Sequence, residues 1–332
     1  MSQGDVNPFE MFGEREDQLS LFSTHLEKMV LMAEQVYEAT DADRAIIRAS
    51  LKDRLTQFYV DQNMWVRNAK YNVERLRLVG IPHDQVPQLQ LFVTYLDQKY
   101  KELTGKANRD DEMVHAYSVL SAVFKDMLDA NGDLFNVITK SAIDGAQNAR
   151  RVIYDFSSLI NRSKGVAMAQ LVNVLAFAAS SLGEGDTLIV HGAELIDEGV
   201  KEYVTAQFDR LFRRSGRVAL CYNNIKAMLE DSDFNHFDEA DWTALGAMSG
   251  ALVSVYEKKL AKQIPVDMKK VITQRGEGLT FLRRGTVNVV FKRDLALGVN
   301  AHVRDVTYDG SVAPGRHRGS VMAKQAQRGR QK

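Results

Sequence analysis

Apolar positions over the first third of the chain recur at intervals of three and four. Leu19, Phe22, Leu26, Met29, Val30, Ala33 and Tyr37 make one such stripe, the period of a helix with one face turned inward. Thr40 with Asp43 three residues later has the spacing of a capping pair, and it opens a second stripe of Ile47, Leu51, Leu55 and Phe58. A third helix is predicted over about residues 65–78, broken by Gly80-Ile81-Pro82. A fourth carries Leu89, Phe92, Leu96, Tyr100 and Leu103. A fifth carries Met113, Tyr117, Leu120, Phe124 and Met127, and the turn chemistry of Asn131-Gly132-Asp133 is expected to end it.

Near residue 150 the texture changes. Arg151 to Phe156 (RVIYDF) is short, β-branched and aromatic, and reads as a strand. A helix follows over Lys164 to Leu182, then the continuous apolar run Thr187 to Val190, a helix over Asp197 to Arg214, and a third strand candidate, Val218 to Tyr222. Strand, helix, strand, helix, strand at this spacing predicts a parallel sheet with crossover helices. Leu252 to Tyr256, Gly278 to Leu282 and Val287 to Phe291 are further strand candidates, the last two forming a hairpin around Arg283-Arg284-Gly285-Thr286.

Composition narrows the class. The 332 residues are 45% apolar and 26% charged, with 43 Lys and Arg against 43 Asp and Glu. That is core enough for about two domains of ~150 residues, and it excludes a wholly disordered chain or a strongly basic nucleic-acid coat. One cysteine, Cys221, excludes a disulfide scaffold and a thiolate zinc site. Met1 to Glu16 is polar and acidic and does not read as a signal peptide. The longest apolar run, Val166 to Ala179, is broken by Gln170 and Asn173 and falls short of the ~20 residues that cross a bilayer. From Gly310 to Lys332 there is no acid and there are six Lys and Arg, which leaves the remainder at a formal −6. This stretch reads as a disordered basic arm able to contact DNA phosphates through Arg316, Arg318, Lys324, Arg328 and Arg330.

Chemistry in a parallel sheet sits at the C-terminal ends of the strands. The first candidate strand ends at Asp155, which could hold a metal-bound water or cap the next turn. The second ends in His191-Gly192-Ala193-Glu194. Neither a neutral imidazole nor a glycine serves magnesium well; Glu194 could substitute as a catalytic carboxylate, or sit in the first turn of the next helix, where its charge suits the dipole. The third ends in Tyr222-Asn223-Asn224, an amide pair able either to sense a γ-phosphate or to cap the helix starting at Ile225. Arg210, Arg213 and Arg214 lie on one helix, as arginine fingers or as a solvated basic face. The glycine-flanked Arg275-Gly276-Glu277-Gly278 is a weak signal. The phosphate cradle GxxxxGK[ST] does not occur: the one Gly-Lys pair, Gly105-Lys106, is followed by Ala107. The histidines show no paired metal spacing, so no metal site is expected.

In this order the pieces resemble the C-terminal, post-P-loop part of the conjugation and type IV secretion ATPases, within the HerA/FtsK-like P-loop motors. Val6-Asn7-Pro8-Phe9 is similar to the family's INPF segment, RVIYDFSSL to its strand ending in fDisgL, TLIVHGAELI to its Walker B strand, Phe208 to Leu229 to its arginine helix and sensor strand, and Arg275 to Phe291 to its closing G-x-G-L hairpin. His191 and Gly192 stand where the family has an acidic pair, and Asn223 where it usually has Gln. The resemblance implies an α/β fold, a P-loop-NTPase-like (RecA-like) parallel sheet with a large helical insertion. It implies an N-terminal extended segment (1–14), a helical insertion (15–148), a motor-like core (149–298) and a basic tail (299–332). It implies a subunit or fragment of a DNA-transfer or secretion ATPase that uses ATP and magnesium only with a P-loop partner. The partner would be a P-loop-containing chain or a homo-oligomeric ring, alongside other secretion-channel or coupling proteins, at the cytoplasmic face of the cell membrane. A non-catalytic helical scaffold, or a DNA-binding accessory protein of a mobile element, is the alternative.

Overall fold

A reciprocal cap starts the second helix of the structure, a computed structural model that describes residues 5–37, 40–140, 151–230, 240–260, 263–273, 279–284 and 287–292. The Thr40 hydroxyl accepts from the Asp43 backbone N–H while the Asp43 carboxylate accepts from the Thr40 N–H. The helix they open buries Ile47, Leu51, Leu55 and Phe58 completely, the four positions of the predicted stripe.

The chain forms two compact units, Met1–Cys221 and Tyr222–Lys332. In the first, α1 (Gln18–Val36), α2 (Asp41–Asp61), α3 (Leu89–Thr104) and α4 (Asp111–Phe135) precede α5 (Ser157–Arg162), α6 (Lys164–Ser181), β1 (Thr187–His191), α7 (Glu198–Arg213) and β2 (Arg217–Cys221). Phe9, Phe58, Phe92 and Phe124 join the N-terminal segment to α2, α3 and α4, with successive ring centroids 4.9 to 6.1 Å apart. α6 is apolar on nearly every side because it packs on α1, α5 and α7 at once, the pattern of an interior helix. Its start lies so close to α1 that a Cβ on Gly165 would stand 2.0 Å from the Gln35 carbonyl oxygen.

Several expected elements differ. Residues 65–78 form the short 3-10 turns Ala69–Tyr71 and Val73–Arg75, not a helix. Asn68 sits in the left-handed region at φ 62°, a conformation asparagine tolerates and a continuing helix does not. Asn131 (φ −137°) kinks α4 without ending it, and the helix runs on to Phe135. Arg151–Phe156 alternates half-buried and exposed positions as a strand would, but no strand is assigned there. The parallel sheet among the described residues therefore has two strands, β1 and β2, paired from Thr187↔Arg217 to His191↔Cys221. α7 is its crossover and packs on β2 and α6. Of the RecA-like sheet expected from the resemblance, the described residues show only these two parallel strands.

The second unit holds α8 (Ile225–Glu230), β3 (Thr243–Leu245), α9 (Gly250–Leu260), α10 (Val266–Thr273), β4 (Leu279–Arg284) and β5 (Val287–Lys292). The expected hairpin is β4–β5, and β3 adds antiparallel to its other edge. Leu252 to Tyr256, expected as a strand, lies inside α9. Val253 and Tyr256, three apart, are both buried, so the helical period overrides β-branched composition. Met228, Leu229, Leu245, Val253, Tyr256, Ile264, Ile272 and Phe281 form this unit's core.

Candidate functional site

β1 ends at His191, whose register partner is Cys221 at the end of β2. Gly192 follows at φ 71°, where L-residues other than Asn and Asp are strained, and its N–H donates to the Cys221 carbonyl at 2.9 Å. The chain turns out of the sheet through this glycine into a 3-10 turn, Ala193–Leu195. That turn contains Glu194, half-buried. The first helical turn anticipated for Glu194 belongs to Glu198 instead. Asp197 caps α7: its Oδ1 accepts from the Gly199 N–H at 3.0 Å, and its Oδ2 pairs with Lys164 at 2.7 Å. The Lys164 hydrogen bond, then the Gly199 N–H, hold the Asp197 carboxyl below its ordinary range. His191 is exposed. Among the described residues no three His, Cys, Asp or Glu side chains gather to hold a metal ion. An exposed imidazole, a glycine and a carboxylate turned into a 3-10 helix do not fit a magnesium nucleotide unaided, since Mg²⁺ asks for carboxylate or hydroxyl oxygens in octahedral array.

The other candidates lie elsewhere. Asp155 Oδ1 accepts from the Ser157 N–H at 2.9 Å, a bond that lowers its pKa and spends the carboxylate on the turn into α5. Arg213 and Arg214 fall at the end of α7. This is next to the start of the sheet, because the Arg217 N–H donates to Asp186 and the Gly185 N–H to Ser215. A five-residue strand, about 16 Å long, separates them from His191 in the same chain. Arg214 donates to the carbonyls of Ala179 (3.2 Å) and Ser180 (2.9 Å) and so caps the C-terminus of α6. Arg213 is exposed. Arg210 is half-buried beside Gln207 and lines a cleft of about 30 Å³ with Glu10, His25, Lys28 and Tyr203. Asn223 is exposed after β2, and its neighbour Asn224 caps α8 by accepting from the Lys226 N–H at 2.8 Å. Arg275–Gly278 and the tail arginines and lysines, Arg316, Arg318, Lys324, Arg328 and Arg330, lie outside the described residues.

The cleft is the part that reading the sequence missed. Asn7, Glu10, His25, Lys28 and Asn173 are all buried. Lys28 Nζ donates to the Glu10 carbonyl and to Asn173 Oδ1, both at 3.4 Å, and Asn173 Nδ2 donates to the Val6 carbonyl at 2.9 Å. His83 Nδ1 stands 2.7 Å from Glu10 Oε1. The Tyr59 hydroxyl gives its one proton to the Phe9 carbonyl, so at 2.9 Å it must accept from His25 Nε2–H. His25 is thereby fixed as the Nε2–H tautomer. Burial, then the neighbouring Lys28, push the His25 pKa well down. Burial pulls Lys28 down to about 7 against the opposing pull of Glu10. The Asn7-Pro8-Phe9 segment is thus held from both ends: the Asn7 N–H donates to Thr139 and its Nδ2 to the Pro87 carbonyl. In the sequence Asn7 and Phe9 stand out only through the resemblance to the INPF segment.

These elements define an α/β protein in which a small parallel sheet with a helical crossover accompanies long helices. No protein-family model matches the chain, and no curated protein matches it in sequence. Among solved structures its fold is similar to that of VirB4 of Thermoanaerobacter pseudethanolicus, with a TM-score of 0.64 and 18% identity, covering 87% of this chain and 73% of that one. At that identity the likeness is one of fold. Among the described residues no helix is long and apolar enough to cross a membrane.

Proposed function

We propose that this chain is a subunit or fragment of a conjugative DNA-transfer or type IV secretion ATPase that does not hydrolyse ATP by itself. The observation that carries the reading is the likeness to VirB4 over 87% of the chain. The 332 residues contain no GxxxxGK[ST], and the end of β1 offers His191 and Gly192 where a magnesium ligand and a water-polarising carboxylate are needed. ATP and magnesium then belong to a P-loop-containing chain or to an adjacent subunit of a ring. Arg213 faces solvent at the far end of the sheet from His191, so it can serve a nucleotide only on a neighbouring molecule, whereas Arg214 is occupied as a helix cap.

The parallel sheet supports the same reading. Parallel strands are ordinarily covered on both faces, yet no residue of β1 or β2 is fully buried, and Ile189 is exposed. A chain that adds a strand would bury an interface of the obligate class, above about 2,000 Å². Other secretion-channel or coupling proteins, and a station at the inner face of the cell membrane, belong to this proposal.

The test is co-expression with a P-loop-containing chain encoded beside this one, purification by a tag on one partner, and measurement of ATP turnover. The complex should turn over ATP while this chain alone does not. Arg213→Ala should lower turnover without lowering complex yield. A chain that remains a folded monomer and never co-purifies, or that hydrolyses ATP alone with loss on Glu194→Ala, overturns the proposal.

A further inference from the structure

Two helices of the first unit present polar side chains to one cleft. On α7, Tyr203, Gln207 and Arg210 follow at four and three residues and so share a face; Tyr203 and Gln207 are buried and Arg210 is half-buried. On α1, His25 and Lys28 stand three apart and are both buried. Tyr203 and Arg210 from the one helix and His25 and Lys28 from the other line the cleft of about 30 Å³, to which α6 adds Ala176 and the N-terminal segment adds Glu10. The protein does not pair all of these groups with one another. Glu10 Oε2, His25 Nδ1 and the Tyr203 hydroxyl are buried and have no hydrogen-bond partner among the described residues. Glu10 is 6% exposed, His25 4% and Tyr203 7%. Native interiors keep few groups of this kind, because each forfeits the hydrogen bond it had in water. Three of them on one cleft mark a place that something polar fills.

The side chains select the occupant. His25 gives its Nε2–H to Tyr59, so Nδ1 only accepts. Glu10 has one carboxylate oxygen on His83, and the other, Oε2, also only accepts. The Arg210 guanidinium only donates, and the Tyr203 hydroxyl does either. Anything in the cleft must therefore donate toward Glu10 and His25 and accept from Arg210 or Tyr203. An anion has nothing to donate and would face a carboxylate. A metal ion or an ammonium group has nothing to accept with and would share the wall with Lys28 and Arg210. A hydroxyl-type group does both, and water is the smallest. At roughly 10–15 Å³ for each molecule, the cleft of about 30 Å³ takes about two. We propose that the cleft is a hydration site, in which two ordered waters join Glu10 Oε2 and His25 Nδ1 to the Tyr203 hydroxyl and to Arg210. The waters carry a contact that the side chains do not make. They tie the N-terminal segment and α1 to α7, the crossover helix of the parallel sheet. The proposal stands on the first unit's own interior and does not need the motor reading.

The experiment uses the full chain. Trp65 and Trp242 are its two tryptophans, and Trp242→Phe leaves Trp65, in the first unit and stacked on Phe22, as the sole indole. Thermal unfolding followed by Trp65 emission then reports the unit that holds the cleft. In that background Tyr203→Phe removes one hydroxyl and keeps the ring. A hydroxyl served by water loses a hydrogen bond in this change, and the midpoint should fall by about 2–4 °C, the shift that one such bond gives in a unit of this size. A hydroxyl buried without a partner is a cost to the fold, so its removal leaves the midpoint where it was or raises it. Either of those results overturns the proposal. A high-resolution crystal structure of the unaltered chain decides independently. Water within about 3.2 Å of the Tyr203 hydroxyl, bridging it to Glu10 Oε2 or His25 Nδ1, is the expected result. A cleft that is dry, closed by a rotated side chain or filled by an ion overturns the proposal as well.

Discussion

Replacing Lys28 by methionine should stabilise this protein at neutral pH and remove a specific part of its pH profile. Lys28 is 2% exposed, and burial lowers its pKa from 10.5 to about 7. The sign follows from proton counting. Between pH 7 and 10.5 the unfolded chain keeps the ammonium proton and the folded chain has lost it, so stability rises with pH through this window. The cost of burying the charge is fully present below pH 7 and has gone above 10.5. Each pKa unit corresponds to about 1.4 kcal/mol, so this one group should raise the unfolding free energy by roughly 3 kcal/mol between pH 7.5 and 9.5. The groups facing it are Glu10, whose carbonyl accepts from it, His83 on the Glu10 carboxylate, and His25, already neutral there. Tyr59 on α2 and Tyr203 on α7 have pKa values raised by burial and act only above pH 10. Methionine matches the lysine stem in length, and apolar replacement of a buried charge is often neutral or stabilising. Urea titrations followed by far-UV circular dichroism at half-unit steps from pH 7 to 9.5 give both curves. Lys28→Met should be the more stable at pH 7 and flat by comparison, the two curves converging as pH rises. Parallel curves would mean that Lys28 is solvated as the free side chain is, and the buried network would be wrongly described.

Gly165→Ala should destabilise by more than about 2 kcal/mol, although the same change in an ordinary helix gains about 1 kcal/mol, because the new Cβ meets the Gln35 carbonyl at 2.0 Å; a thermal melt that rises refutes the close approach of α6 to α1. Thr40→Ala and Asp43→Ala should each cost about 1 kcal/mol, and the double variant should cost less than the sum, since one reciprocal cap is broken twice; additive losses in chemical denaturation would separate the two bonds.

The elements legible in the sequence are those whose cause is local. The Thr40/Asp43 cap and the run from α6 through β2 both follow from period and punctuation within a dozen residues. Residues 65–78 depart from the helix expected there because Asn63 and Asn68 take left-handed conformations that nothing in the apolar spacing announces. The placement of His191 and Gly192 at a strand end could be read from the continuous run before them. The separation of Arg213 and Arg214 from that end follows from the crossover and could have been derived, but the capping of α6 by Arg214 could not, since it joins residues 34 and 35 apart. The Glu10–Lys28–Asn173 network was invisible for the same reason. A lysine in an amphipathic helix reads as solvated until a residue 145 positions away is brought to it.

That span bears on how the chain is made. The bond from Asn173 to the Val6 carbonyl closes 167 residues, and the one from the Asn7 N–H to Thr139 closes 132. Closing 167 residues costs only roughly 2 kcal/mol more than closing 20, so equilibrium stability hardly registers the distance, but translation does. At about 5–20 residues per second, the α6 that must cradle Val6 is synthesised on the order of ten seconds or more after Val6 itself. Throughout that interval Phe9 and the nascent α1 and α2 have each other but not their lid, and Lys28 remains hydrated and charged. The segment around Val6 and Phe9 is thus made well before the helix that locks it, which leaves it accessible to proteases and chaperones on any nascent chain that has not yet reached α6.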